Sequence, residues 1–155
     1  MITIRYAKKT DIDQLLRHWM ELHNYHIKKL KAGKDLKLAR TARQNLRACF
    51  NDIKIPNQEL LVACEQDKLA GFCDFEECCR PSIYEVQKII RINYLYVSSD
   101  YRKHGVGKSL LEKLMAIKKT RNIREIEVSP YITNEAAISW YASQGFRKKS
   151  LVLVL

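Results

Sequence analysis

The sequence predicts an α/β fold, and three observations carry that reading. Strand-length apolar or alternating runs recur along the chain: ITIRYA, ELLVACE, LAGFCDFEECC, KIIRINYLYV, REIEVSP and SLVLVL. Amphipathic runs with helical spacing stand between them. In the C-terminal half, strand, loop, helix and strand follow one another, a unit able to lay two strands in parallel.

Taken in order, ITIRYA alternates like a half-buried strand, and Thr10 and Asp11 supply capping side chains for the helical run IDQLLRHWMELHNYHIKKL. Ile12, Leu15, Leu16, Trp19, Leu22 and His23 fall on one stripe of that helix, the face expected to pack on a sheet. A second helix is expected from about Lys37 to Phe50, broken over Ile53 to Gln58, where Pro56 stands. ELLVACE and LAGFCDFEECC, joined by Gln66-Asp67-Lys68, read as a hairpin, and KIIRINYLYV as a long apolar strand. KSLLEKLMAIKKT has apolar residues at 110, 111, 114, 115 and 117 and reads as a helix. REIEVSP resumes a strand, and NEAAISWYASQ is a helix with Asn134 at its start and Gly145 at its end. SLVLVL is expected as a last strand.

A length of 155 residues fits one domain, residues 1–155, and 46% hydrophobic against 29% charged residues is the profile of a packed core. The formal charge of +11 implies a surface that attracts anions, whether nucleic acid, an acidic protein or a phosphorylated cofactor. The basic residues are spread in short runs along the chain, the pattern of solvated faces, so no nucleic acid is expected as a partner. Five cysteines, at 49, 64, 73, 78 and 79, form no C-x-x-C pair. With neither a secretory leader nor an apolar stretch near 18 residues, a reducing, cytoplasmic location is expected and no membrane partner. Cys78-Cys79 lacks a four-ligand spacing, so no metal site is expected.

The chemistry concentrates in YRKHGVGKSL, Tyr101 to Leu110. Backbone amides at a helix N-terminus carry the positive end of the helix dipole, and glycines let them approach a phosphate. Gly107-Lys108-Ser109 resembles the end of an ATP-binding P-loop, but the required glycine five residues earlier is Arg102. A dinucleotide fingerprint would need a glycine where Leu110 stands.

Arg102-x-x-Gly105-x-Gly107, entered from LYV, is similar to the acetyl-CoA loop of the GNAT superfamily of N-acetyltransferases. Asn134, Ala137, Tyr141 and Gly145-Phe146 resemble that family's second signature, N-x-x-A-x-x-x-Y-x-x-x-G-F, at the required distance downstream. The match covers about Ile92 to Phe146. It implies a central mixed, mostly antiparallel twisted sheet flanked by helices, with two strands splayed into a cleft for acetyl-CoA.

By the same resemblance, Arg102, Lys103, His104, Gly105, Val106, Gly107, Lys108 and Ser109 hold the pyrophosphate of coenzyme A. Leu95, Tyr96 and Val97 pair through their backbone with the pantetheine arm. Asn134 hydrogen-bonds the cofactor or caps its helix, and Tyr141 protonates the departing sulfur. Gly107 is expected to admit the phosphate, so that a side chain there would block the ligand while sparing the fold. Many relatives carry a glutamate on the strand before the loop as general base, where this chain has Asn93. Glu77 is the expected substitute, ahead of Glu76 and His26. The expected partners are acetyl-CoA and an amine acceptor, with a homodimer left open. The rival from another class is a binding module that keeps the cofactor fold without catalysis.

Overall fold

The computed structural model describes residues 1–30, 38–51, 58–150 and 152. Its elements are β1 (Thr3–Tyr6), α1 (Ile12–Lys29), α2 (Ala42–Asn51), β2 (Gln58–Glu65), β3 (Lys68–Cys79), β4 (Lys88–Val97), α3 (Val106–Thr120), β5 (Glu125–Val128) and α4 (Glu135–Ser143). The five strands form one sheet in the order β1-β2-β3-β4-β5. The first four are antiparallel neighbours, and β5 lies parallel to β4. The crossover α3 makes that parallel pair, as the strand-loop-helix-strand order required.

Apolar side chains cover both faces of this sheet, which explains why ELLVACE reads as a continuous apolar run rather than an alternating one. Leu61, Ala63, Cys73 and Phe75 face α3 and α4, where they meet Val106, Leu110, Leu111, Leu114 and Tyr141. Leu60, Val62, Phe72 and Tyr96 face α1 and α2, against Ile12, Leu15, Leu16 and Phe50. Within the stripe predicted on α1, Ile12, Leu15, Leu16 and His23 are buried, and Trp19 and Leu22 half-buried.

Asp11 does not cap α1 through its side chain. Its carboxylate accepts instead from the Lys8 amide at 2.7 Å and from both Arg5 guanidinium nitrogens at 2.7 and 3.0 Å, tying β1 to the turn before the helix. Burial would push this carboxyl up, but the Arg5 and Lys8 hydrogen bonds outweigh it and hold it below its usual range. The expected break over Ile53 to Gln58 lies outside the described residues except for Gln58, which opens β2 opposite Glu76. The start of α2 expected near Lys37 also lies outside them, and the helix begins at Ala42. Of the expected last strand only Ser150 and Val152 are described, and neither is in a strand.

The feature that matters for function is where β4 changes partners. β5 pairs with Ile89 to Ile92 and stops at Val128, while β3 follows β4 as far as Val97. Asn93 is the extra residue of a bulge, because Phe75 opposes Ile92 while Asp74 opposes Tyr94. Beyond the bulge, Tyr94 to Val97 have no parallel partner among the described residues. Close approach holds the other side: a Cβ on Gly71, opposite Val97, would stand 2.4 Å from the Tyr96 carbonyl oxygen.

Backbone cannot yield to a methyl group as a side-chain tip can. Gly71→Ala is therefore expected to destabilise the fold by on the order of 3 kcal/mol. The urea unfolding midpoint should fall accordingly; an unchanged midpoint would mean that β3 and β4 are not this close.

Candidate active site

Chain leaving β4 makes a short 3-10 turn, Ser99–Tyr101, and enters α3 through Arg102 to Gly105. Gly105 has φ of +80° with open space around a hypothetical Cβ, so glycine is needed there for its torsion rather than for room. Lys103, at φ of +64°, also takes the left-handed region. Arg102, Lys103 and His104 are exposed, while Val106 is buried and anchors the helix start in the core. The helix ladder opens with Ser109 N–H donating to the Gly105 carbonyl at 2.9 Å. The amides of Val106, Gly107 and Lys108 stand ahead of that bond, at the positive end of the dipole. Arg102 Nε donates to the Val97 carbonyl at 3.0 Å and so ties the loop to the end of β4.

Gly107 has a second role. A Cβ there would lie 3.3 Å from the Trp140 ring and 3.6 Å from Val97, so this glycine lets α3 pack against α4 and β4. A side chain at 107 disturbs that packing, and the expectation that it would spare the fold is corrected.

On α4, Asn134 caps the helix: its Oδ1 accepts from the Ala137 amide at 3.2 Å, leaving the Nδ2 amide hydrogens for other partners. The helix ends in a Schellman motif. Gly145, at φ of +90°, donates to the Ala142 carbonyl and Phe146 to the Tyr141 carbonyl, both at 3.0 Å. That turn brings the Phe146 ring to 5.2 Å from Tyr141, whose other side meets Trp140 at 4.9 Å. The Tyr141 ring is thus fixed by the glycine and phenylalanine that follow it. Burial and the nearby Cys73 thiol push its hydroxyl well above the usual phenol range, so it carries its proton at neutral pH.

The expected bases sit apart. Glu77 Oε1 accepts from Arg121 at 2.6 Å, and Arg121 also binds Glu59. By strand alternation Glu77 shares the face of Cys73 and Phe75, toward α3. Glu76 faces the other way and pairs with Arg91 at 3.4 Å. The His26 ring lies 5.3 Å from Tyr131, and burial, with His23 near, lowers its pKa.

The carboxylate at the bulge is Asp74, which is not among the bases expected from the sequence. It is 4% exposed, on the α1 face of β3. Gln58 Nε2 donates to its two oxygens at 2.9 and 2.8 Å, and Asn93 Nδ2 donates to Oδ1 at 3.2 Å. Burial pushes its pKa from 3.8 up to about 6, against the pull of the Asn93 and Gln58 hydrogen bonds. Tyr94 stands opposite it, edge-on to Trp19 at 5.9 Å, and Trp19 stacks on His23 at 5.2 Å. The sequence held one signal for this site: a carboxylate between Cys73 and Phe75, inside an otherwise apolar run.

β4 thus parts from its parallel neighbour at a bulge and runs on into a glycine-entered helix. Comparison with known proteins identifies the class. Residues 56–148 match the Acetyltransferase (GNAT) domain, and the chain belongs to that family. It is 29% identical over 150 residues to an uncharacterized N-acetyltransferase of Archaeoglobus fulgidus, covering 94% of this chain and 92% of the relative. A second uncharacterized N-acetyltransferase, from Methanocaldococcus jannaschii, is 27% identical over 97% of this chain, which spans 62% of that relative's length. Among solved structures, a tetramutant of the BH1408 protein from Bacillus halodurans superposes with a TM-score of 0.84 at 23% identity, over 99% of this chain and 98% of that one. An aminoglycoside acetyltransferase from an uncultured soil metagenomic sample, in complex with sisomicin, does so with a TM-score of 0.72 at 15% identity, over 99% and 93%.

A carboxyl raised by burial prefers its neutral form in the fold, so its contribution weakens the folded state as pH climbs from about 4 through about 6. At neutral pH the cost is on the order of 3 kcal/mol. Asp74→Asn, which is neutral at every pH, should therefore raise Tm by several degrees at pH 7.5 and by little at pH 4. Equal effects at both pH values in thermal melts would contradict the raised pKa.

Proposed function

We propose that residues 1–155 form one GNAT domain that transfers the acetyl group of acetyl-CoA to a primary amine. The observation that supports this is that the parted end of β4, the start of α3 and Tyr141 pack together, Leu95, Val97, Val106 and Tyr141 in one core and Arg102 tied to the Val97 carbonyl. When bound, acetyl-CoA supplies a thioester whose acyl carbon accepts the amine. The amides ahead of Ser109, with Arg102, Lys103, His104 and Lys108 around them, hold the pyrophosphate, and Gly105 and Gly107 leave that backbone open. Leu95, Tyr96 and Val97 offer backbone groups to the pantetheine arm, since the Tyr96 ring is buried on the α1 side. Asn134 offers its Nδ2 amide hydrogens to the cofactor, beside its capping bond.

Tyr141 holds the proton that the sulfur needs, and its raised pKa keeps that proton in place until a thiolate forms. Glu77 is held by Arg121, so the carboxylate we favour for the amine's proton is not Glu77. The +11 charge suits an anionic cofactor, and five free thiols suit a reducing, cytoplasmic compartment. Among the described residues, no helix is long and apolar enough to cross a membrane.

The second reading, an acyl-CoA-binding module without turnover, is favoured by Asn93 in place of the family's glutamate. Calorimetry with acetyl-CoA and thiol release over an amine panel that includes sisomicin separate the two. Micromolar binding with turnover supports the enzyme; binding without turnover supports the module.

Tyr141→Phe keeps the ring between Trp140 and Phe146 and removes only the hydroxyl. Cofactor affinity should stay within about threefold while kcat falls about 10²-fold or more, the scale of a positioned acid. A kcat within about threefold of wild type, where chemistry limits the rate, would remove Tyr141 from the mechanism.

A further inference from the structure

We propose that Asp74 receives the acceptor's ammonium group and takes its proton, held for that task by Asn93 and Gln58 at the β4 bulge. The proposal rests on the acetyltransferase reading and adds to it the residue that the motif lacks. Asn93 cannot accept the proton, but its side-chain amide points at a carboxylate that can, one strand away.

The geometry favours Asp74 over every other carboxylate near the cleft. A carboxylate has about four lone-pair positions. Oδ1 takes the donors of Gln58 and Asn93, while Oδ2 takes only Gln58 among the bonds of the described residues. Oδ2 thus keeps an acceptor position for an N–H of the substrate. The rivals are engaged by other groups: Glu77 and Glu59 bind Arg121, Glu76 binds Arg91, and Glu21 accepts from the Tyr96 hydroxyl and lies 3.7 Å from His18. The bulge also puts Asp74 beside the point where β4 parts from β5, on the face opposite Tyr141. Cys73, the residue before Asp74, lies against Tyr141 in the other core. Proton acceptor and proton donor therefore reach the same stretch of β4 from its two sides.

Other groups around Asp74 fit a cation. Tyr94 from β4 and Trp19 from α1 present ring surface, and an ammonium beside such rings is stabilised by their π faces. The titratable neighbours are Glu76 on β3, itself paired to Arg91, Tyr94 on β4, Tyr131 near Tyr94, and His23 stacked on Trp19. Arg91 is the only fixed cation in this set, and it is engaged by Glu76. The acceptor class is a primary alkylammonium, which must lose a proton before it can react.

The steps balance as follows. One ammonium proton passes to Asp74 Oδ2 and frees the nitrogen lone pair. An N–C bond forms as the thioester C–S bond breaks, and the sulfur takes the Tyr141 proton. The nitrogen's second proton restores the Tyr141 hydroxyl, and Asp74 releases its proton to water. Asp74 must start ionised, so the reaction should turn on as pH rises through its pKa near 6.

The test uses two acceptors, 1,6-diaminohexane, protonated at pH 7.5, and 4-chloroaniline, neutral there. In Asp74→Asn, with folding checked by its melt, kcat/KM for the diamine should fall about 10²-fold or more, and the loss should be at least about tenfold larger than for the aniline. Equal losses, or none, overturn the proposal while leaving the acetyltransferase reading in place. Asn93→Ala removes a donor that favours the ionised carboxylate, and it should move the acid limb of the wild-type pH profile upward; a limb that stays put argues against Asp74 as its source. Independently of turnover, the 13C carboxyl signal of Asp74 in the cofactor-free protein should shift when 1,6-diaminohexane is added. A shift with no turnover of any amine by wild type would sink the acetyltransferase reading and keep the ammonium site, whereas no shift would sink the site.

Discussion

The rest of the structure around the candidate site depends on where β4 changes partners. Among the described residues, β4 is paired on both sides from Ile89 to Ile92 and on one side only beyond it. A single extra residue, Asn93, separates the two regimes. Without the bulge, the alternation of β4 would continue unbroken and Tyr94 would turn to the α3 face. With it, Leu95 and Val97 return to the α3 face while Asn93 and Tyr94 stay with Asp74 and Trp19. The cleft is thus a consequence of register, and the side chains around it are placed by the same one-residue shift.

The second constraint is how α3 and α4 are brought to that cleft. Gly107 permits the Trp140 ring to approach, so α3, entered through the 102–105 loop, also seats α4, which carries Tyr141. The Schellman turn at Gly145 then folds Phe146 back on Tyr141. The two glycine-containing motifs are spatially one unit. A change in either is felt by both, which is why a substitution at Gly107 does not test phosphate contact alone.

Helices and strands were legible because the relevant signals are local. Period-3.6 stripes in α1 and α3, the Gln66-Asp67 turn, and the glycine at the end of α4 each act within a few residues. The 102–109 loop and the 134–146 signature were legible for the same reason: their residues serve backbone geometry, which a spacing encodes. Asp74 was not legible as a partner of Asn93, because the two are 19 residues apart in sequence and meet only through the β3–β4 register. Glu77, three positions away, was the base expected instead, yet strand alternation sends the two to opposite faces and Arg121 binds Glu77. Asp11 shows the same limit on a smaller scale: a side chain fit for a cap is taken by Arg5 from the neighbouring strand.

What distinguishes Asp74 from Asp11, the other buried carboxylate among the described residues, is that its partners stabilise it incompletely. Asp11, equally excluded from water, has a guanidinium on two bonds, and its pKa falls. Asp74 has two neutral amides, and its pKa rises. A fold selected only for stability would place an arginine or a neutral residue there, since a carboxylate held by amides alone weakens the native state whenever it ionises. Gln58 and Asn93 fix the position of the charge without cancelling it. The deficit is one positive charge, at a carboxylate opposite Tyr94 and close to the end of β4 that leads into the 102–109 loop, and the cationic amine we propose supplies it.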